Sequence, residues 1–276
     1  MYRTYRRAAQ LLVFSVMFLI PLLNLYEIYA ITGTFYAVNI GRLGIADPVV
    51  IFQALFASGS LTAALLSAAL FAVFLALLLG RVWCGWMCPY HLLADGAAWT
   101  RARVRHKLFR SNAPESLVVP GSLKANMVRY AFLVLGTVAA GAFGIPFLNY
   151  VSAPGILSTE AMIFVKERSV SLELGFIAAL LLLELCVSPR FWCRLFCPTG
   201  AFLALFRMPF TLRVGTDTAG PKAPCCKGNY CSAACPMGLS AFREGNNLLC
   251  TNCGRCIDAC TAHGGPGRLH FKGFTS

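Results

Sequence analysis

Near the C-terminus the chain reads C-T-N-C-G-R-C-I-D-A-C over residues 250–260, a C-x2-C-x2-C-x3-C run of Cys250, Cys253, Cys256 and Cys260. Thiolates at this spacing can take three corners of a cubane [4Fe-4S] cluster from one tight loop, and in paired sites the fourth cysteine of each run reaches the other cluster. A partner run lies upstream as Cys225, Cys226, Cys231 and Cys235, followed by Pro236. Structural zinc needs two well-separated ligand pairs, which the compact downstream run does not offer. Cysteines this dense would also strain any disulfide among themselves. The pattern points to two [4Fe-4S] clusters and to a compartment that keeps thiols reduced.

A second thiol pattern is stated twice. Residues 81–89 read R-V-W-C-G-W-M-C-P and residues 190–198 read R-F-W-C-R-L-F-C-P, both R-x-W-C-x3-C-P, and each follows an apolar stretch. In a helix, positions four apart share a face, and the proline limits how that helix continues. Cys84, Cys88, Cys193 and Cys197 could thus meet at a pseudo-symmetric centre and bind a metal, bind a further cluster, or act as redox dithiols. The plainer alternative makes them small packing thiols, with Trp83, Trp86 and Trp192 in an interfacial aromatic belt. Spacing alone does not decide between these.

The elements that must position these thiols are apolar. The 276 residues are 58% hydrophobic and 13% charged, with mean hydropathy +0.66, whereas soluble domains carry about 25% charged residues. Four stretches, roughly 10–31, 61–80, 128–149 and 172–189, approach the ~20 apolar residues a spanning helix needs. The basic start, Arg3, Arg6 and Arg7, leads into an apolar segment without a small-residue cleavage site, so it reads as an uncleaved first span. The net charge is +13, yet of 24 Lys and Arg only Arg42, Lys166 and Arg168 fall in the connections 32–60 and 150–171. Positive residues stay on the cytoplasmic side, which places both termini and the cysteine-rich tail inside. The basic run at 101–110 reads as an orientation determinant touching anionic lipid rather than a nucleic-acid site. The expected fold is an all-α polytopic domain over 1–208, built of four transmembrane helices as two parallel helix-pair repeats. A linker over 209–224 and a small two-cluster ferredoxin-like domain over 225–276 complete it. Cys186 reads as a packing thiol.

Taken together, A-D-P (46–48), C-G-W-M-C-P (84–89), C-R-L-F-C-P-T-G-A (193–201) and the 250–260 run resemble the NapH, NosR and MauN group of membrane-bound ferredoxin-type proteins. NapH fits this length best, because NosR-type proteins typically carry an extra extracytoplasmic flavin domain. The resemblance implies a bacterial cytoplasmic-membrane protein that oxidises menaquinol or ubiquinol. It further implies that electrons pass to a partner ferredoxin-type or cytochrome redox protein. One departure is Gly228, which stands where the upstream run normally has its second cysteine, so that either Cys226 substitutes or one iron takes a different ligand; another is Thr261, in place of a proline. By the crossover rule one cluster takes Cys250, Cys253, Cys256 and Cys235, and the other takes Cys260, Cys231 and one or both of Cys225 and Cys226. Quinol oxidation also needs a proton acceptor, and intramembrane ionisable residues are the default candidates. Glu184, Asp47 and His91 qualify, against the plainer readings of an interhelical carboxyl and an interfacial histidine. Two other functions remain open: a membrane copper reductase or metal-handling factor resembling the FixG/RdxA group, and a non-catalytic docking anchor.

Overall fold

The computed structural model describes residues 1–27, 31–40, 43–58, 63–109, 122–216, 230–242, 244–245, 247–263 and 269–273. Helix α1 (Tyr2–Leu25) is the longest, with Arg6, Gln10, Val13, Met17 and Ile20 buried at helical spacing along one stripe. Its other face leaves Leu11, Leu12 and Leu19 exposed, a pattern suited to lipid. After it the chain forms three short antiparallel strands, β1 (Ile31–Thr34), β2 (Ala37–Ile40) and β3 (Leu43–Ala46), rather than an irregular connection. This sheet corrects the all-α expectation. Gly33, at φ +104°, allows the first hairpin to close on the two-residue turn Phe35-Tyr36. Because Ala37 pairs with Ala46, the register sets Asp47 beside Tyr36, and the Asp47 N–H donates to the Tyr36 carbonyl at 2.9 Å. Asp47 then caps α2 (Pro48–Ser58), accepting the Val49 N–H on Oδ1 at 2.8 Å with Pro48 in the first helical position.

Helix α3 (Ala63–Leu79) leads into a π-helical turn, Trp83–Met87, and then α4 (Pro89–Phe109). The second half runs through α5 (Ser122–Phe143), the short α6 (Phe147–Tyr150), α7 (Ala153–Glu167), α8 (Glu173–Cys186), α9 (Phe191–Leu195) and α10 (Pro198–Leu205). Among the described residues, Tyr2–Leu25 and Leu123–Phe143 are long and apolar enough to cross a membrane. A third span results if α8 and the α9–α10 segment, bent by 96°, count as one. The count falls below the four expected because α8 has 14 residues, only about 21 Å at the usual helical rise. In addition, α3 is described only from Ala63.

The tail is a compact module packed against this base. Strand β4 (Arg213–Gly215), inside the stretch expected to be a linker, pairs antiparallel with β5 (His270–Lys272). Between them lie α11 (Tyr230–Ala233) and α12 (Arg255–Ala262). Val214, Ala241, Ile257 and Leu269 form its small core with Cys231, Cys256 and Cys260. The N-terminus joins the same module: the Met1 amino group and the Tyr2 and Arg3 N–H groups all donate to the Asp258 carboxylate.

Candidate functional site

Each C-x3-C-P motif ends in a cysteine followed by a proline that starts a helix. Cys88 precedes α4, and Cys197 caps α10, its Sγ accepting the Gly200 N–H at 3.5 Å. Proline suits that first helical position because its missing N–H would be unpaired anyway. Cys88, Cys193 and Cys197 belong to one buried core, and Cys84 lies beside both Cys88 and Cys197. The motifs thus converge on one four-thiol set. Among the described residues no group of three or more His, Cys, Asp or Glu side chains is placed to hold a single metal ion.

The tryptophans have separate tasks rather than forming a belt. Trp83 stacks on Phe35 with ring centroids 5.6 Å apart, Trp86 donates its indole N–H to the Asn252 carbonyl at 3.0 Å, and Trp192 is buried among Phe132, Phe176 and Phe196. Cys186 is exposed at the end of α8, not packed in the core.

A second set gathers in the tail. Cys235, Cys250, Cys253 and Cys256 line one pocket together with Val214, Met237 and Leu239. Burial, then Cys253 and Cys250, push the Cys235 thiol up to about 12, while the Leu239 and Met237 N–H groups pull it down. Burial followed by the same three neighbouring thiols raises Cys256. Mutually repelling buried thiolates need a cationic core in place of their protons, so these residues fit a cubane cluster. Cys231 and Cys260 are both buried in the tail core, whereas Cys225, Cys226, Lys227 and Arg243 lie outside the described residues.

The two sets nearly touch. Gly85, between Cys84 and Cys88, approaches the tail loop so closely that a Cβ there would stand 2.7 Å from the Thr251 carbonyl oxygen and 3.3 Å from the Cys253 Cβ. Around that contact, side chains from the base grip tail carbonyls: Arg81 donates to Leu248, Arg194 to Met237, and Arg207 to Asn247 and Gly245. Asn252, in the left-handed region at φ +49°, returns bonds to the Leu79 and Leu212 carbonyls.

An apolar cavity of about 110 Å³ lies beside the first motif. Leu75, Leu79, Trp83, Met87 and Leu203 contribute to its wall, and Tyr36, Asp47 and Thr199 supply polar atoms. The Thr199 hydroxyl donates to Asp47 Oδ2 at 2.7 Å. Asp47 lies outside the spanning helices; burial raises its carboxyl to about 6, against lowering bonds from Thr199 and Val49. The other two proton candidates lie elsewhere. Glu184 is 2% exposed and accepts the Tyr90 hydroxyl at 3.0 Å, beside Cys193. His91 sits among arginines: burial and the facing Arg190, Arg6, Arg255 and Arg81 hold it well below the usual imidazole range. It receives Arg6 Nη1 at 3.4 Å, and its carbonyl receives Arg190.

Tyr36 and Thr199 were not singled out from the sequence. Thr199 stands inside the C-P-T-G string and was legible as motif context, but Tyr36 enters only through the strand register. Asp95 was also missed. It binds Arg6 at 3.0 Å, Arg255 at 2.9 Å and Arg190, tying α1, α4, α12 and the second motif together.

A family model described as a 4Fe-4S binding domain matches residues 61–110 and 171–215, the stretches that contain the two C-x3-C-P motifs. The methylamine utilization ferredoxin-type protein MauN of Methylorubrum extorquens is 31% identical over 93% of this chain and 73% of its own length. The chain belongs to the MauN and NapH family of ferredoxin-type proteins. The ferredoxin-type protein NapH of Haemophilus influenzae is 25% identical over 93% of the chain and 85% of itself, and NapH of Escherichia coli 29% over 79% and 72%. No solved structure matches. As a member of this family the chain is a ferredoxin-type iron–sulfur electron-transfer protein.

Proposed function

We propose that the chain is a quinol-oxidising subunit of the bacterial cytoplasmic membrane that delivers electrons to a partner ferredoxin-type or cytochrome redox protein. The observation that carries this reading is the position of the cavity: its wall residues Trp83 and Met87 belong to the first of the two motifs that carry the four thiols, and Thr199 directly follows the second. A flat apolar headgroup suits such a cavity, since ligand sites are mostly apolar with a few placed polar groups. Asp47, held by Thr199 and the Val49 N–H, is the group positioned to accept a proton from a quinol hydroxyl. Iron–sulfur clusters, when bound, supply one-electron acceptance and transfer.

In the tail, Cys235, Cys250, Cys253 and Cys256 would hold one cluster; Cys231 and Cys260, with Cys225 or Cys226, would hold the other. The exposed apolar faces of α1 and α5 meet lipid, and α3 and α8 complete a four-span base. The ion pair of the Met1 amino group with Asp258 keeps the N-terminus beside the tail, in accord with a cytoplasmic side for both.

The test uses the full chain purified anaerobically in detergent. Added menaquinol or ubiquinol analogue is expected to bleach the iron–sulfur absorbance, and Asp47→Asn is expected to slow that bleaching by roughly 10²- to 10⁴-fold, the usual worth of a general base. Bleaching by dithionite but not by either quinol would overturn the reading.

A further inference from the structure

Two buried cations in the base have no evident counter-charge. Arg81 is 2% exposed and Arg129 0%. Arg81 reaches the Leu248 carbonyl, and Arg129 reaches Asn126 Oδ1 and the Tyr130 hydroxyl. Arg81 Nε, Arg129 Nε and Arg129 Nη1 are buried with no hydrogen-bond partner among the described residues, and no described carboxylate forms an ion pair with either guanidinium. An unpaired buried charge is too costly to persist without a neighbouring anion. Both arginines adjoin Cys197: a Cβ on Gly200 would lie 2.5 Å from Arg81 Nη2 and 3.6 Å from Cys197 Sγ, and Arg129 neighbours Cys197 and Arg81 together, while Arg81 also neighbours Cys250 of the tail.

As free neutral thiols, Cys84, Cys88, Cys193 and Cys197 would offer those arginines no charge. Held as four thiolates around a cubane core, they would form a dianion in the oxidised state, which matches two guanidiniums. At the N-terminus of α10 the Gly200 N–H donates to the Cys197 Sγ at 3.5 Å. Independently, the stretches matched as a 4Fe-4S binding domain, 61–110 and 171–215, contain these four cysteines and stop short of every tail cysteine.

We infer that Cys84, Cys88, Cys193 and Cys197 ligate a third cubane iron–sulfur cluster, separate from the tail clusters and charge-matched by Arg81 and Arg129. The inference deepens the proposed function and rests only on its reading of the chain as an iron–sulfur protein. Trp83, next to Cys84, faces the cavity, and Gly85 faces Cys253. The third site would therefore stand between the cavity and the tail pocket.

The test counts iron and acid-labile sulfide in the full chain, prepared anaerobically and without quinol, so its outcome is independent of whether quinol is the donor. The wild type is expected to hold about twelve irons, and Cys193→Ser with Cys197→Ser is expected to remove about four irons and four sulfides, one cubane, while sparing the tail. Loss of one iron without sulfide, loss of two irons with two sulfides, or no loss would overturn the inference. If the double variant does not fold, Mössbauer spectra of the wild type decide. About twelve irons, all cubane-type, support a third cluster, and about eight or fewer refute it.

Discussion

Asp47 is the group on which quinol chemistry depends at the residue scale. Its carboxyl, raised by burial to about 6, accepts a proton only when ionised. Quinol-driven cluster reduction is therefore expected to increase as pH rises through about 6 and to level off above it. Asp47→Asn, which cannot ionise, should flatten that limb; stopped-flow traces across pH check both. Gly85 sets the approach of the two thiol sets. Because its Cβ would meet the Thr251 carbonyl and Cys253, Gly85→Ala should force the tail loop back by a few tenths of an ångström or more. Slower reduction of the tail by quinol, with unchanged iron content, is the expected outcome; an unchanged rate would show that this approach is not limiting. The cysteine runs were legible in the sequence because ligand spacing within one loop is a local property. The meeting of Tyr36, Asp47 and Thr199 was not, since it depends on a strand register and on a helix start 152 residues further along the chain.

Between elements, charge and backbone bonds do what a large apolar core would otherwise do. Asp95 accepts from Arg6, Arg190 and Arg255, so Asp95→Asn would strand three cations at one point. Breaking a buried pair typically costs about 3–5 kcal/mol, and thermal unfolding in detergent is expected to move down accordingly. Asn252→Ala removes two bonds to the Leu79 and Leu212 carbonyls. A loss of about 1–3 kcal/mol per buried acceptor left unpaired is the usual scale, and faster amide exchange in 250–256 would register it. The meander over 31–46 could not be read from hydrophobicity, because an apolar segment between two spans looks like any connection. Its glycines, Gly33 and Gly44, were the available signal. Asp95 looked like an ordinary helix-surface residue, and only the fold brings three distant arginines to it.

For the molecule as a whole, the tail is held to the base by arginine and tryptophan bonds to its loops rather than hung on a free linker. Metal binding and folding are coupled in such small cores. Iron removal by an anaerobic chelator is accordingly expected to open 230–263 to proteolysis while leaving α1 and α5 intact, a pattern that peptide mapping resolves. Equal resistance before and after chelation would mean the docking bonds alone suffice. Composition separates an apolar stretch from a thiol-rich one, with eight of the thirteen cysteines after residue 224. Hydropathy reads apolar length alone: among the described residues two helices qualify as spans, or three with the pair bent by 96° at the end of α8.

Electron paramagnetic resonance of the anaerobic wild-type chain, reduced in parallel samples by a quinol analogue and by dithionite, asks whether quinol feeds the iron–sulfur clusters. The expected result is a reduced iron–sulfur signal with quinol alone, which grows in intensity with dithionite. A signal that appears only with dithionite, or none with either reductant, would contradict a quinol-fed iron–sulfur carrier.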